Sequence, residues 1–253
     1  MVERPLQTTE PLAGRTALVT GASSGIGAAT ARVLAADGAD VCLSARREQR
    51  LTELADTIRE ESDADVLVET ADVTDSADVA ALVDATVETF GGLDIAVCNA
   101  GIGIESSVEE MTDDEYETMT GVNVDGMFYT AREAIPHLRE DEGNLVFLGS
   151  MAGQHPRPGN PVYAATKWWT RGFAISLQGS LGGDGIAVTC VNPTEVRTEF
   201  GSESGAAMEE EFEERSVTEP IEVADAIAFA VRQRPPNAVT SLDLYRRDKI
   251  THF

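Results

Sequence analysis

The chain has 253 residues and a formal net charge of −25, from 44 Asp and Glu against 19 Lys and Arg. So acidic a chain lacks the clustered cations that bind phosphate backbones, which excludes DNA and RNA as partners. No run of ~18 or more apolar residues is present to span a membrane, and the length suits one well-buried α/β domain.

The first stretch, Met1 to Arg15, is polar and carries Glu3, Arg4 and Glu10. It has no signal-peptide character, which predicts a cytoplasmic protein. Short β-branched runs then alternate with longer helical patterns, the mark of a parallel sheet built from βαβ units. Strands are predicted at Thr16–Thr20, Val41–Ala45, Val66–Thr70, Asp94–Cys98, Asn144–Leu148, Ala187–Val191 and Val239–Tyr245. Helices are predicted near Ile26–Ala36, Glu48–Glu61, Ser76–Phe90, Asp113–Leu138, Val162–Leu181 and Glu222–Arg232. Asp75 should cap the third helix, with Asp78 complementing its dipole. The expected fold is a single Rossmann-type, doubly wound parallel sheet of about seven strands with helices on both faces.

The first strand runs into Thr20-Gly21-Ala22-Ser23-Ser24-Gly25-Ile26-Gly27 and then a helix. Glycines there permit a tight turn and close backbone approach to a pyrophosphate, which would rest on the helix N-terminus. An NAD site places an acidic residue at the end of the second strand to hold the ribose 2′-hydroxyl. Here Ala45 is followed by Arg46 and Arg47. Two guanidiniums suit a 2′-phosphate, and the pattern predicts NADP.

Farther on, Asn160 is expected to cap a helix with Pro161 in its first turn. Tyr163 and Lys167 then share a face one turn apart. An ammonium ~5 Å from the phenol should lower its pKa by about two units, bringing Tyr163 into range for general acid/base work. Leu148-Gly149-Ser150 closes the fifth strand, and a hydroxyl there can donate to a substrate oxygen from the same side. From Glu195 to Thr218 the chain is polar, acidic and rich in Gly and Ser. Its length and its place after a strand's carboxyl end predict a substrate lid.

Cys42, Cys98 and Cys190 sit in apolar runs and read as small core residues. With only His137, His155 and His252 beside them, no metal-ligand spacing exists and no metal is expected. The acidic residues are spread along the whole chain, and Lys167 and Lys249 are its only lysines. That predicts adaptation to a salt-rich cytoplasm, where a Debye length of ~3 Å at 1 M suppresses self-repulsion.

Taken in order, the glycine turn, Asn99-Ala100-Gly101, Asn123-Val124-Asp125-Gly126, Ser150 and Tyr163-x-x-x-Lys167 resemble the short-chain dehydrogenase/reductase family over nearly the whole chain. The resemblance implies an oxidoreductase moving a hydride between NADP(H) and a small alcohol or carbonyl compound, with Asn123, Ser150, Tyr163 and Lys167 as its catalytic tetrad. Tyr163 would exchange the proton, Ser150 orient the substrate oxygen, and Lys167 bind the nicotinamide ribose. Asn123 would hold a water linking Lys167 to solvent. For the cofactor it implies Gly21, Ser23, Ser24, Gly25, Ile26 and Gly27 at the phosphates, and Asp72 with Val73 at the adenine. Asn99 to Gly101 would lie at the adenosine ribose, and Pro193 to Thr198, including Val196, at the carboxamide.

Two departures stand out: Cys98 replaces a more usual Asn, and Thr194 replaces a Gly, which should stiffen or reshape the turn there. The C-terminal stretch resembles the branch acting on small 3-hydroxy acids, whose carboxylate Arg157 or Arg197 would bind. Trp168 and Trp169 point in different directions from one helix, which predicts a homodimer or homotetramer. One alternative is a nucleotide-sensing protein on the same fold, which would have a broken tetrad where this one is whole. Another is a reductase of acyl-carrier-bound chains, which would want a basic docking patch, against the net charge of −25, and a Gly-rich final strand, which is absent.

Overall fold

A computed structural model describes residues 11–202 and 206–249. The polar stretch before residue 11, residues 203–205 of the expected lid, and His252 lie outside the described residues.

Seven strands form one parallel sheet: β1 (Thr16–Thr20), β2 (Asp40–Ala45), β3 (Val66–Thr70), β4 (Ile95–Cys98), β5 (Asn144–Leu148), β6 (Ala187–Pro193) and β7 (Ser241–Leu244). Their order is β3-β2-β1-β4-β5-β6-β7. Helices α1 (Gly25–Ala36), α2 (Glu48–Glu61) and α3 (Ser76–Phe90) follow the first three strands in turn. Between β4 and β5 lie α4 (Asp113–Thr120) and α5 (Gly126–Glu140), and α6 (Pro161–Leu181) joins β5 to β6. A short α7 (Met208–Glu211) and then α8 (Pro220–Val231) lead to β7.

Alternation along the strands divides the core in two. Ala17, Val19, Val41, Leu43, Ile95 and Val97 face a layer made by α1, α2 and α8. Leu18, Cys42, Ala96, Cys98, Leu145 and Phe147 face a layer made by α3, α5 and α6. With both faces covered, the central strands are buried and largely apolar, as a parallel sheet favours. All three cysteines are free and buried, and burial pushes each thiol's pKa up.

Chain order reverses direction between β1 and β4, which opens a crevice at the carboxyl ends of those strands. The final crossover has a different hand. The connections through α5 and α6 move across the sheet with helices on one face, whereas α8 continues in the same direction from the opposite face. It therefore reverses the hand that the other crossovers share. The described residues between β6 and α8, 194–202 and 206–219, lie over the carboxyl edge, and several of them line the mouth of the crevice.

Three expectations are corrected. The predicted helix Asp113–Leu138 is interrupted by a π turn at Gly121–Asp125; such insertions recur at functional sites. Asn160 stands at the N-cap of α6 but its side chain caps nothing, although Pro161 occupies the first turn as expected. The last strand is shorter than predicted, because Val239 and Thr240 meet β6 only through their carbonyls, which accept from Thr189 Oγ1 (2.6 Å) and the Cys190 amide (3.1 Å). Asp75 does cap α3, accepting from the Ala77 amide at 2.8 Å.

Candidate active site

The glycine turn between β1 and α1 packs against the turn that follows β4. Gly21 adopts a positive φ of 67°, a conformation open to glycine at little cost. A Cβ on Gly27 would lie 2.3 Å from the Gly21 carbonyl oxygen and 2.5 Å from Asn99 Nδ2. No side chain fits there. Asn99 donates to the carbonyls of Thr20 (2.8 Å) and Gly21 (3.2 Å), clamping the two turns together.

These turns form one end of a cavity of about 370 Å³. Among its walls are Ser23, Ser24, Arg46, Arg47, Asp72 and Val73 at that end, and Ser150, Tyr163, Lys167 and Pro193 at the other. Gly21, Gly25, Ile26, Asn99, Ala100, Gly101, Val196 and Thr198 also line it. Gly27 and Asn123 do not; they support the walls from behind. Burial works against the charged form of Asp72, but hydrogen bonds from the Thr74 amide and hydroxyl, with the Arg46 charge nearby, hold its carboxyl below the usual range.

Periodicity in α6 brings Tyr163 and Lys167 to one face, with Lys167 Nζ 5.8 Å from the Tyr163 ring centre. Lys167 is 3% exposed and donates to the Leu148 carbonyl at 2.9 Å. Burial lowers its pKa to about 8. Burial also pushes Tyr163 up to about 12, against a hydrogen bond from Ser150 and the Arg157 charge. The expected downward shift of Tyr163 by Lys167 is therefore not found. The spacing is as predicted, but the cost of removing a phenolate from water exceeds what the Ser150 hydrogen bond and the Arg157 charge return.

Ser150 lies at the start of a 3₁₀ turn, Met151–Gly153, where its hydroxyl accepts from the Ala152 amide at 3.1 Å. Asn123 is fully buried inside the π turn. Its Oδ1 accepts from the Ile102 amide (2.9 Å), and its Nδ2 donates to the Ile102 carbonyl (2.9 Å) and to Thr166 Oγ1 (3.1 Å). It thus ties the turn after β4 to α6, beneath Lys167.

The two candidate carboxylate-binding arginines separate. Arg157 lines the cavity. Arg197 is absent from its walls and donates to the carbonyls of Phe212 (3.2 Å) and Glu209 (3.4 Å), bracing its own segment. Thr194 does not strain the chain, since it is not among the residues of positive φ; its hydroxyl accepts from the Arg246 amide at 3.2 Å.

Several cavity residues escaped sequence reasoning. Phe200 reaches back to the catalytic end, its ring centre 5.6 Å from that of Tyr163. Glu199 lines the opposite end, ion-paired to Arg47 and Arg50. Arg50 stands behind the cavity wall, in the first turn of α2 and three residues beyond the N-cap Arg47, and that proximity was its one signal in the sequence. Among the described residues there is no cluster of His, Cys, Asp and Glu suited to a metal ion, and no helix long and apolar enough to cross a membrane.

Residues 15–209 match the family profile described as short chain dehydrogenase. An uncharacterised oxidoreductase of Staphylococcus epidermidis is 33% identical over 220 residues, covering 87% of this chain and 91% of that one. Among solved structures, an alcohol dehydrogenase from the archaeon Thermococcus sibiricus complexed with 5-hydroxy-NADP superposes with a TM-score of 0.84 at 29% identity, covering 91% of this chain and 95% of that one. A 3-ketoacyl-(acyl-carrier-protein) reductase from Brucella melitensis complexed with NADH gives 0.82 at 30% identity, covering 92% and 98%.

Proposed function

Since the chain belongs to the short-chain dehydrogenase family, we propose that it is an NADP-dependent oxidoreductase acting on a small alcohol or carbonyl compound, with Tyr163 as general acid/base. The observation that carries this reading is one continuous cavity with Arg46, Arg47 and the glycine turn at one end, and Ser150, Tyr163 and Lys167 at the other. Bound NADPH would supply the hydride. Tyr163 Oη delivers the proton to the substrate oxygen, and Ser150 Oγ orients that oxygen and stabilises its developing charge. Lys167 holds the nicotinamide ribose, and Asn123 keeps Lys167 and the turn after β4 in register. Burial keeps the Tyr163 phenol protonated at neutral pH, so it carries the proton that a substrate oxygen takes in reduction. Asp72 and Val73 take the adenine, Asn99 to Gly101 the adenosine ribose, and Pro193, Val196 and Thr198 the carboxamide.

A small 3-hydroxy acid, or the matching carbonyl acid, fits the position of Arg157 at the cavity wall, where a carboxylate would find a guanidinium. The segment 195–218 acts as the substrate lid. The outer surfaces of α5 and α6 expose Phe128 (40%), Trp168 (46%) and Ile175 (49%), and we assign this face to a homodimer or homotetramer contact. The net charge of −25 supports adaptation to a salt-rich cytoplasm.

The test is nicotinamide absorbance in molar KCl with small aldehydes, ketones, 3-hydroxy acids and a 3-ketoacyl thioester. NADPH and NADH run in parallel, and Tyr163→Phe serves as control. Turnover with NADPH that falls by about 10²–10⁴-fold in the variant supports the reading. Turnover with NADH alone overturns the cofactor assignment, and full activity in the variant overturns the role of Tyr163.

A further inference from the structure

One carboxylate of the lid is held where a phosphate would be expected. Glu199 accepts from Arg50 Nη1 through both oxygens (2.5 and 2.7 Å) and from Arg47 Nη1 at 2.9 Å. Arg47 also donates to the glycine turn. Its Nε and Nη2 lie 3.0 and 2.9 Å from Ser23 Oγ, and Nη2 lies 2.8 Å from Ser24 Oγ. Two guanidiniums and two serine hydroxyls at the start of a helix make a donor set suited to a phosphate. A side-chain carboxylate now occupies part of it. By contrast, Arg46 makes no hydrogen bond or ion pair among the described residues.

The neighbours of Glu199 bind the same segment down on either side. Thr198 packs on the glycine turn, its Cγ2 3.0 Å from where a Gly25 Cβ would stand. Phe200 lies over Tyr163 and against Gly103, where a Cβ would fall 2.5 Å from its ring. Three consecutive residues therefore span the cavity from the arginine end to the tyrosine end. Phosphate recognition and access to Tyr163 are linked through a few atoms of one backbone.

We propose that Glu199 is a specificity-determining residue, an internal competitor for the 2′-phosphate whose displacement from Arg47 and Arg50 frees the lid from the catalytic end. The inference rests on the NADP reading above. A 2′-phosphate takes the N–H donors of Arg47 that Glu199 now uses. The displaced carboxylate then faces a dianion of like charge, and the segment carrying Phe200 lifts. A ribose with a free 2′-hydroxyl has no charge with which to compete, so it leaves Glu199 in place.

Calorimetric titration of the full chain in molar KCl tests this with NADP⁺, NAD⁺, 2′,5′-ADP and 5′-AMP, using wild type, Glu199→Gln and Glu199→Ala. Both variants should bind NADP⁺ and 2′,5′-ADP roughly three- to thirtyfold tighter, the range set by two half-exposed ion pairs. NAD⁺ and 5′-AMP should change by less than about twofold on the same grounds. In wild type, 2′,5′-ADP but not 5′-AMP should speed hydrogen exchange at the amides of Arg197, Met208 and Glu209, which now bond within the lid to Thr218, Phe200 and Thr198. NADP⁺ affinity that is unchanged or weaker in both variants overturns the proposal while leaving the NADP reading intact. If neither wild type nor variants favour 2′-phosphorylated ligands, the NADP reading falls, and the inference falls with it.

Discussion

Replacing Lys167 with Met separates the stability of this fold from its chemistry. Lys167 is 3% exposed, and burial has brought its pKa from 10.5 to about 8. At 1.36 kcal/mol per pKa unit this corresponds to about 3 kcal/mol by which a charged Lys167 destabilises the native state. Its hydrogen bond to the Leu148 carbonyl returns about 1.5 kcal/mol for a charged donor, so Lys167→Met should stabilise the protein by about 1.5 kcal/mol at pH 7. The sign follows from linkage. Below pH 8 the lysine is protonated in both states, and the native state bears the whole penalty. Between pH 8 and 10.5 the unfolded chain holds the extra proton, so wild-type stability rises with pH and the advantage of the variant fades. The assay is denaturant unfolding in molar KCl at pH 7 and at pH 10, with turnover measured alongside. A variant that is inactive, more stable at pH 7 and nearly level with wild type at pH 10 bears out the reasoning. Lower stability at pH 7, or a difference that ignores pH, would refute it.

Gly27→Ala would place a Cβ 2.3 Å from the Gly21 carbonyl; it should cost about 1–3 kcal/mol of stability and abolish nucleotide binding, read by unfolding and by titration with NADPH. Lowering KCl from about 2 M to about 0.1 M lengthens the Debye length to ~10 Å, and the net charge of −25 should then unfold the chain, followed by circular dichroism; a fold indifferent to salt contradicts the adaptation. In high salt the hydrodynamic mass should be twice or four times 27.0 kDa, and Trp168→Asp should reduce it; a wild-type monomer removes the α5/α6 contact.

Much of this protein is legible in its sequence because the relevant signals are local. Alternation and β-branched runs mark the strands, glycine spacing marks the turn after β1, and four-residue spacing brings Tyr163 and Lys167 to one face of α6. Order along the chain is enough to show the family resemblance. What the sequence could not determine depends on contacts between distant residues or on the surroundings of a charge. Glu199 reaches Arg47 and Arg50, and Phe200 reaches Tyr163, only because the last crossover reverses hand and sends its connection across the cavity mouth. Arg157 and Arg197 look alike as sequence, yet the fold turns one to the cavity and the other to its own loop's carbonyls. The Tyr163–Lys167 spacing is a local fact, but the pKa of each group is set by how much water the assembled layers exclude. Desolvation belongs to the tertiary structure, and here it opposes the simple charge-pair expectation.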